Sequence, residues 1–228
     1  MNTTIQLSSM TMKYLYIFAA IYGVLFAVAE VAYHLLKVKA EYTRKFVHIV
    51  TGIIALFFPV YLTEFWEVAL LCCSFIVILV LSKRFDFLKS INGIERKSYG
   101  SVLFPIVVMI CFYAYLVGEN HAYYFLPLLI LSLADPAAAI VGQRFPLGKY
   151  QVFGHTKTVS GSMAFALVTT LVSCGTLQFV TDNTTLECLM MAVGIGVVTA
   201  IGEALSVDGT DNVVIPVLVL VTMLFLGL

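Results

Sequence analysis

Long hydrophobic runs separated by short polar clusters repeat from one end of the chain to the other. The runs fall at residues 14–36, 46–62, 65–81, 100–118, 122–141, 159–180, 186–205 and 213–228. Each is long enough to cross a hydrocarbon core of about 30 Å as a helix. Stretches such as MAFALVTTLV show no polar face and no apolar–polar alternation of the kind a membrane β-strand carries. A helix satisfies its own backbone hydrogen bonds inside lipid, so the pattern predicts an all-α, polytopic membrane helix bundle of eight transmembrane helices. The whole chain, 1–228, reads as a single integral membrane domain. The first run is long and lacks a cleavage-type end, so it is read as a span and not as a signal peptide.

Composition strengthens this reading. Hydrophobic residues make up 61% of the chain and charged ones 11%, and the mean hydropathy is +1.00, which excludes an ordinary soluble domain. The formal net charge is zero, without the basic excess that a nucleic-acid partner requires. The five cysteines, Cys72, Cys73, Cys111, Cys174 and Cys188, lie in or beside apolar runs without Cys-x-x-Cys spacing. They read as small packing residues and not as metal ligands or a disulfide framework.

The zero net charge conceals an asymmetry between the two sets of loops. Of the 13 Lys and Arg, all but Lys13 fall in loops that eight crossings would place on one side. An excess of cations marks cytoplasmic loops, so this set is expected in the cytoplasm and both termini on the opposite side. Every polar cluster capable of chemistry falls on that same face: EYTRKFVH, NGIERKSYG, ADPAAAIVG, FGHTKT and EALSVDGTDN. A transporter would carry polar groups near the midplane, often within an internal repeat, and no repeat is evident. Chemistry collected at one face fits an enzyme that joins a soluble substrate to a lipid.

Five clusters carry candidate roles. Asp135 interrupts an apolar run just before Pro136, where an unpaired carboxylate would cost roughly 2.5 to 3.5 kcal/mol on insertion scales; it reads as a magnesium ligand or phosphate-site acid, or as a structural cap of the kink. FGHTKTVSGS places Lys157 and Thr158 at the start of the sixth helix, where free N–H groups and the helix dipole favour an anion. Gly154 and Gly161 would let the backbone approach a phosphate, although the spacing is not that of a P-loop and a simple helix cap explains the same residues. EALSVDGTDN gathers Glu203, Asp208, Asp211 and Asn212 with no cation among them, which fits Mg²⁺ bridging nucleotide phosphates, or a solvated turn around Gly209. Arg44 and His48 lie four apart, on one face of the second helix, and Arg96 and Lys97 precede the fourth; phosphate binding and topological anchoring both account for these cations.

The order RKFVH, ERKSYGSVLFP, ADPAAAIVGQRF, GHTKTVSGS, EALSVDGTDN resembles the polyprenol kinase family, membrane enzymes that include dolichol, phytol and farnesol kinases and a CTP-dependent diacylglycerol kinase. The resemblance runs from about Arg44 to Pro216. It implies transfer of the γ-phosphate of a nucleoside triphosphate, typically CTP, to the hydroxyl of a lipid alcohol. It further implies a nucleotide and metal site built from Asp135, Lys157, Thr158, Gly161, Glu203, Asp208, Asp211 and Asn212. Asp135, Lys157, Asp208 and Asp211 would be catalytic, and Asp135, Glu203, Asp208 and Asp211 would hold Mg²⁺. Arg44, His48, Arg96, Lys97, Gly142, Gly154, His155 and Ser162 complete the nucleotide-binding set. The expected partners are a lipid alcohol, a nucleoside triphosphate and the bilayer, with no nucleic acid; a homodimer is compatible with the bundle. Phosphatidate cytidylyltransferases share an Asp and a Lys-Thr-x-x-Gly stretch, but their later basic signature has no counterpart after Ser162, where no Lys or Arg occurs. A membrane transporter is the alternative from a different class.

Overall fold

A segment in lipid has no water to bond its backbone, and every long apolar run of this chain satisfies that demand as a helix. The computed structural model describes residues 2–93 and 98–228, with side chains from residue 12 onward. It divides into two units, Met1–Lys97 and Ser98–Leu228.

The first unit contains α1 (Asn2–His34), α2 (Ala40–Ala55), α3 (Phe58–Tyr61), α4 (Phe65–Arg84) and α5 (Lys89–Asn92). The second predicted span begins earlier than its apolar run, at Ala40, because the charged first turns of α2 are helical too. Its end is broken at Leu56 and Phe57: Pro59 has no N–H to donate to the carbonyl four residues back, and the chain restarts as the short α3. Polar ties fix the ends: Glu30 of α1 accepts the backbone N–H of Ser90 at 2.8 Å, and Thr43 of α2 donates to the Ser90 carbonyl at 2.6 Å.

The second unit contains α6 (Gly100–Gly118), α7 (Ala122–Arg144), the strands β1 (Lys149–Val152) and β2 (His155–Thr158), α8 (Val159–Val180), α9 (Thr185–Leu205) and α10 (Asp211–Phe225). Helix α7 is central: it packs against α6, α8 and α10, and Leu126, Leu128, Ile130 and Leu131 are fully buried. Pro127 and Pro136 lie inside α7; prolines are tolerated within membrane helices because neighbouring helices and side chains satisfy the freed carbonyls.

Without a water-driven force between helices in lipid, close contact depends on small residues. A Cβ added at Gly196 of α9 would lie 2.4 Å from Thr170 Oγ1 and 3.2 Å from the Ala166 carbonyl, both on α8.

Seven helical spans among the described residues are long and apolar enough to cross a membrane. The eighth expected span is realised as α10, which has 15 residues. At 1.5 Å per residue that is about 22 Å, short of the full hydrocarbon thickness. The expectation that both termini lie on one side requires this shorter helix to cross as well. The strands β1 and β2 were not expected at all.

Gly196→Ala should lower the unfolding temperature in detergent by several degrees, as Cβ crowding separates α8 from α9. Gly194→Ala, on the same helix with nothing within 4 Å of the new Cβ, should leave it unchanged or slightly raised.

Candidate active site

One end of the second unit gathers most of the chain's polar chemistry. Alternating helix directions bring the starts of α6, α8 and α10 together with the ends of α7 and α9. Contacts across this end include Asn212 with Gly100, Lys157 with Glu203, and His155 with Asp208. Three helix N-termini meeting in one place bring their positive dipole ends together.

The hairpin β1–β2 crosses this end between α7 and α8. Its strands pair antiparallel, with Tyr150 opposite Lys157 and Val152 opposite His155. The connecting residues are Phe153 and Gly154, at φ of 46° and 82°, and positive φ at both positions is what a two-residue hairpin turn of matching twist demands. Gly154 meets this without strain, and nothing lies within 4 Å of where its Cβ would be. A bulky residue such as Phe153 takes a positive φ rarely and at a cost.

The strand directs Lys157 onto α9. Its Nζ donates to Glu203 Oε1 at 2.7 Å and to the Glu203 carbonyl oxygen. With side chains only 18% and 11% exposed, the pair is shielded enough that losing one partner would strand a charge. Glu203 Oε2 also accepts from Ser162 Oγ at 3.4 Å, and the Ser162 hydroxyl lies 2.7 Å from the Tyr150 hydroxyl. Lys157 and Tyr150, partners across the hairpin, are thus linked through Glu203 and Ser162.

The glycines flanking α8 have a packing role that the sequence did not reveal. Thr158 caps α8, its hydroxyl accepting from Gly161 N at 3.2 Å. The space a Gly161 Cβ would take is filled by the Ala138 carbonyl and Thr158 Oγ1, both at 3.0 Å, and by Gly142 Cα at 3.4 Å. A Cβ on Gly142 would lie 2.7 Å from Thr158 Oγ1. Gly142 and Gly161 therefore allow α7 and α8 to touch, and the side of Gly161 read as open to a phosphate is occupied by α7. Asp135 lies half-buried on α7, three residues and so about 4.5 Å deeper along the helix than Ala138.

The loop between α9 and α10 is held onto the start of α6. The Asp208 carbonyl accepts from Tyr99 N at 2.8 Å. Asp208 and Gly209 adopt φ of 54° and 87°, and a Cβ on Gly209 would lie 2.4 Å from Gly100 N. Asn212 is buried, and its Nδ2 donates to the Gly100 carbonyl at 2.6 Å, which secures α10 to α6. His155 Nε2 lies 3.4 Å from Asp208 Oδ1. Asp211 opens α10 and accepts from Asn212 N at 2.9 Å.

Two of these acids have partners supplied from the hairpin: Lys157 pairs with Glu203, and the His155 imidazole faces Asp208. No group of three His, Cys, Asp or Glu among the described residues is arranged to hold a metal ion, so Asp135, Glu203, Asp208 and Asp211 do not form a ready-made cage. Arg44 and His48 belong to α2 of the first unit, and Arg96 and Lys97 lie outside the described residues. Tyr150 was missed by sequence reasoning. The alternation of KYQV and HTKT around Phe-Gly was the available signal for the hairpin that carries it.

No family model and no solved structure matches the chain. It is 30% identical over 194 residues to the phytol kinase of Synechocystis sp., an alignment that covers 85% of this chain and 83% of that one. The chain belongs to the polyprenol kinase family.

A kinase of this family must bring a highly charged phosphate donor to the membrane surface. The end of the second unit offers one shielded lysine, three helix N-termini and several acids within reach of the bilayer. Lys157→Met should lower stability in detergent by roughly 3 kcal/mol, because it strands the Glu203 carboxylate. The Lys157→Met/Glu203→Gln double variant should recover most of that loss in a denaturation experiment. Turnover should nonetheless stay at least about a hundredfold down in both, as expected when a positive charge facing the transferred phosphoryl group is missing. Recovery of activity along with stability would assign Lys157 a purely structural role.

Proposed function

We propose that the protein is a CTP-dependent lipid kinase that moves the γ-phosphate to the hydroxyl of a lipid alcohol at the cytoplasmic membrane face. The observation that carries this reading is Lys157. It is a shielded cation on a short hairpin at the head of α8, beside three helix N-termini, in a chain of the polyprenol kinase family. CTP as donor follows from the resemblance to that family. The cytoplasmic face follows from the 12 of 13 cations gathered in loops on that side. The Synechocystis relative is named for phytol, which makes phytol the first acceptor to try, with farnesol, longer polyprenols and diacylglycerol after it.

In the proposed step, the lipid hydroxyl oxygen bonds to the γ-phosphorus as the bond from that phosphorus to the β–γ bridging oxygen breaks. The nucleoside diphosphate leaves, and the hydroxyl proton passes to a carboxylate, which we assign to Asp135. Lys157 leaves its contact with Glu203 to face the phosphates, and the start of α8 adds its dipole. Charge spreads over the transferred group in such reactions, so fixed positive partners at this spot lower the barrier.

The acids fit a magnesium ion completed by the nucleotide better than one caged by protein. Mg²⁺ commonly takes only one or two carboxylates, with phosphate oxygens and water filling its remaining positions. Asp208 and Asp211 would hold it, with Glu203 or Asp135 assisting; bound there, it would neutralise charge on the donor phosphates.

Purified protein given CTP labelled separately at the α and γ positions, together with the panel of alcohols, tests the reading. γ-Label in the lipid is expected. α-Label in the lipid with release of pyrophosphate would mean cytidylyl transfer, and no labelled lipid would favour a transporter. For the membrane side, a cysteine replacing Gln151 in the exposed hairpin should react with an impermeant maleimide from the cytoplasmic face alone.

A further inference from the structure

Between α9 and α10 lies a groove of about 430 Å³, within the usual range for small-ligand sites of roughly 300 to 1,000 Å³. Val198, Gly202, Leu205, Val214 and Leu218 form its apolar walls. Ser206 and Thr210 are the polar lining, both at its end nearest the active site. The outer lip is exposed where bilayer would be: Ile201 and Leu205 are 57% and 56% accessible. An apolar chain can therefore enter sideways from the membrane.

The Ser206–Thr210 end of this groove belongs to the α9–α10 loop that also carries Asp208, which faces His155 of the hairpin. Gly202 is followed at once by Glu203, the residue that holds Lys157. Successive helical residues turn by about 100°, so Gly202 faces α10 while Glu203 faces the hairpin. Gly202 lets α10 close onto α9 at the floor of the groove: a Cβ there would lie 2.2 Å from Leu218 Cδ1 and 3.1 Å from Val214 Cγ1. The Ser206 and Thr210 hydroxyls donate to the Gly202 and Val207 carbonyls, and Thr210 Oγ1 also accepts from Val207 N at 3.1 Å, which leaves Ser206 Oγ the freer acceptor for an alcohol O–H.

We propose that this groove seats the apolar chain of the acceptor, one chain only, with its hydroxyl at the Ser206–Thr210 end. The proposal rests on the lipid-kinase reading and adds the place and shape of the acceptor. From Val198 to Ser206 the groove is about 12 Å long at 1.5 Å per residue. It therefore reads only the part of the chain nearest the hydroxyl, and the remainder stays in the bilayer. Single-chain alcohols that share this first segment are served alike whatever their total length, and a diacylglycerol, with two chains beside its hydroxyl, is excluded.

Photolabelling by a prenyl alcohol that carries a diazirine near its hydroxyl, read alongside kinase activity on the same samples, tests this. Label is expected on peptides of α9 and α10. It should be lost with Val198→Trp, which fills the groove from its membrane-facing wall, and kept with Val197→Trp, on the neighbouring exposed face. Val198→Trp should raise the KM for a long single-chain alcohol at least tenfold and leave the KM for the nucleotide unchanged. Ile201→Trp, at the exposed lip, is the second blocking variant should Val198→Trp fold poorly. Label confined to other helices, or equal KM values in the Val197 and Val198 variants, overturns the groove. Label in the groove without any phosphorylated lipid supports the groove and overturns the kinase reading.

Discussion

The contact between Lys157 and Glu203 constrains the polar end of the second unit more than any other. A lysine and a glutamate, each mostly shielded, must neutralise one another or leave a charge stranded at the edge of a membrane. Meeting that demand fixes the hairpin against α9, sets Tyr150 over Ser162 and brings the start of α8 alongside the end of α9. It also sets a condition on function, because a phosphate that binds Lys157 must replace Glu203 as its partner. An anion with several charges can do so, and the Glu203 carboxylate is then released toward whatever cation accompanies that anion. In the proposed function, pairing in the ligand-free state and phosphate binding would be two uses of one charge.

Around this pair, packing and chemistry fall to different residues. Gly142 and Gly161 bring α7 and α8 into contact, Gly209 and Asn212 attach the α9–α10 loop to α6, and Thr158 caps α8. These backbone constraints hold Lys157, His155, Asp208 and Asp211 at one end of the unit. Rigid placement matters because a donor phosphate, a hydroxyl and a base need to meet within a few tenths of an ångström for efficient transfer. The groove along α9 and α10 extends the same arrangement into the bilayer, where the acceptor's chain belongs.

Much of the architecture was legible in the sequence because lipid leaves so few options. The sixth apolar run, 159–180, coincides with α8, and the family could be read from the order of five short motifs. What escaped were features that depend on distant partners. EALSVDGTDN contains no cation, yet Glu203 is neutralised by a lysine 46 positions earlier in the chain. Gly161 looked like room for a phosphate, but its open side is filled by Ala138 of α7. Two strands of four residues each carry too weak a periodicity to stand out beside twenty-residue apolar runs. The last span, read as 213–228, is a helix over Asp211–Phe225, because hydropathy records neither the polar first turn of a helix nor where it stops turning.

The central claim is that Lys157 belongs to the donor's phosphates as well as to Glu203. Calorimetric binding of β,γ-methylene-CTP, which cannot transfer its terminal phosphate, tests it most directly. It compares the intact protein with the Lys157→Met/Glu203→Gln variant, in which the internal pair is removed without stranding a charge. Loss of a charge-assisted contact to phosphate should weaken binding by roughly ten- to a hundredfold. Equal affinity in the two proteins would contradict the account and leave Lys157 as a partner for Glu203 alone.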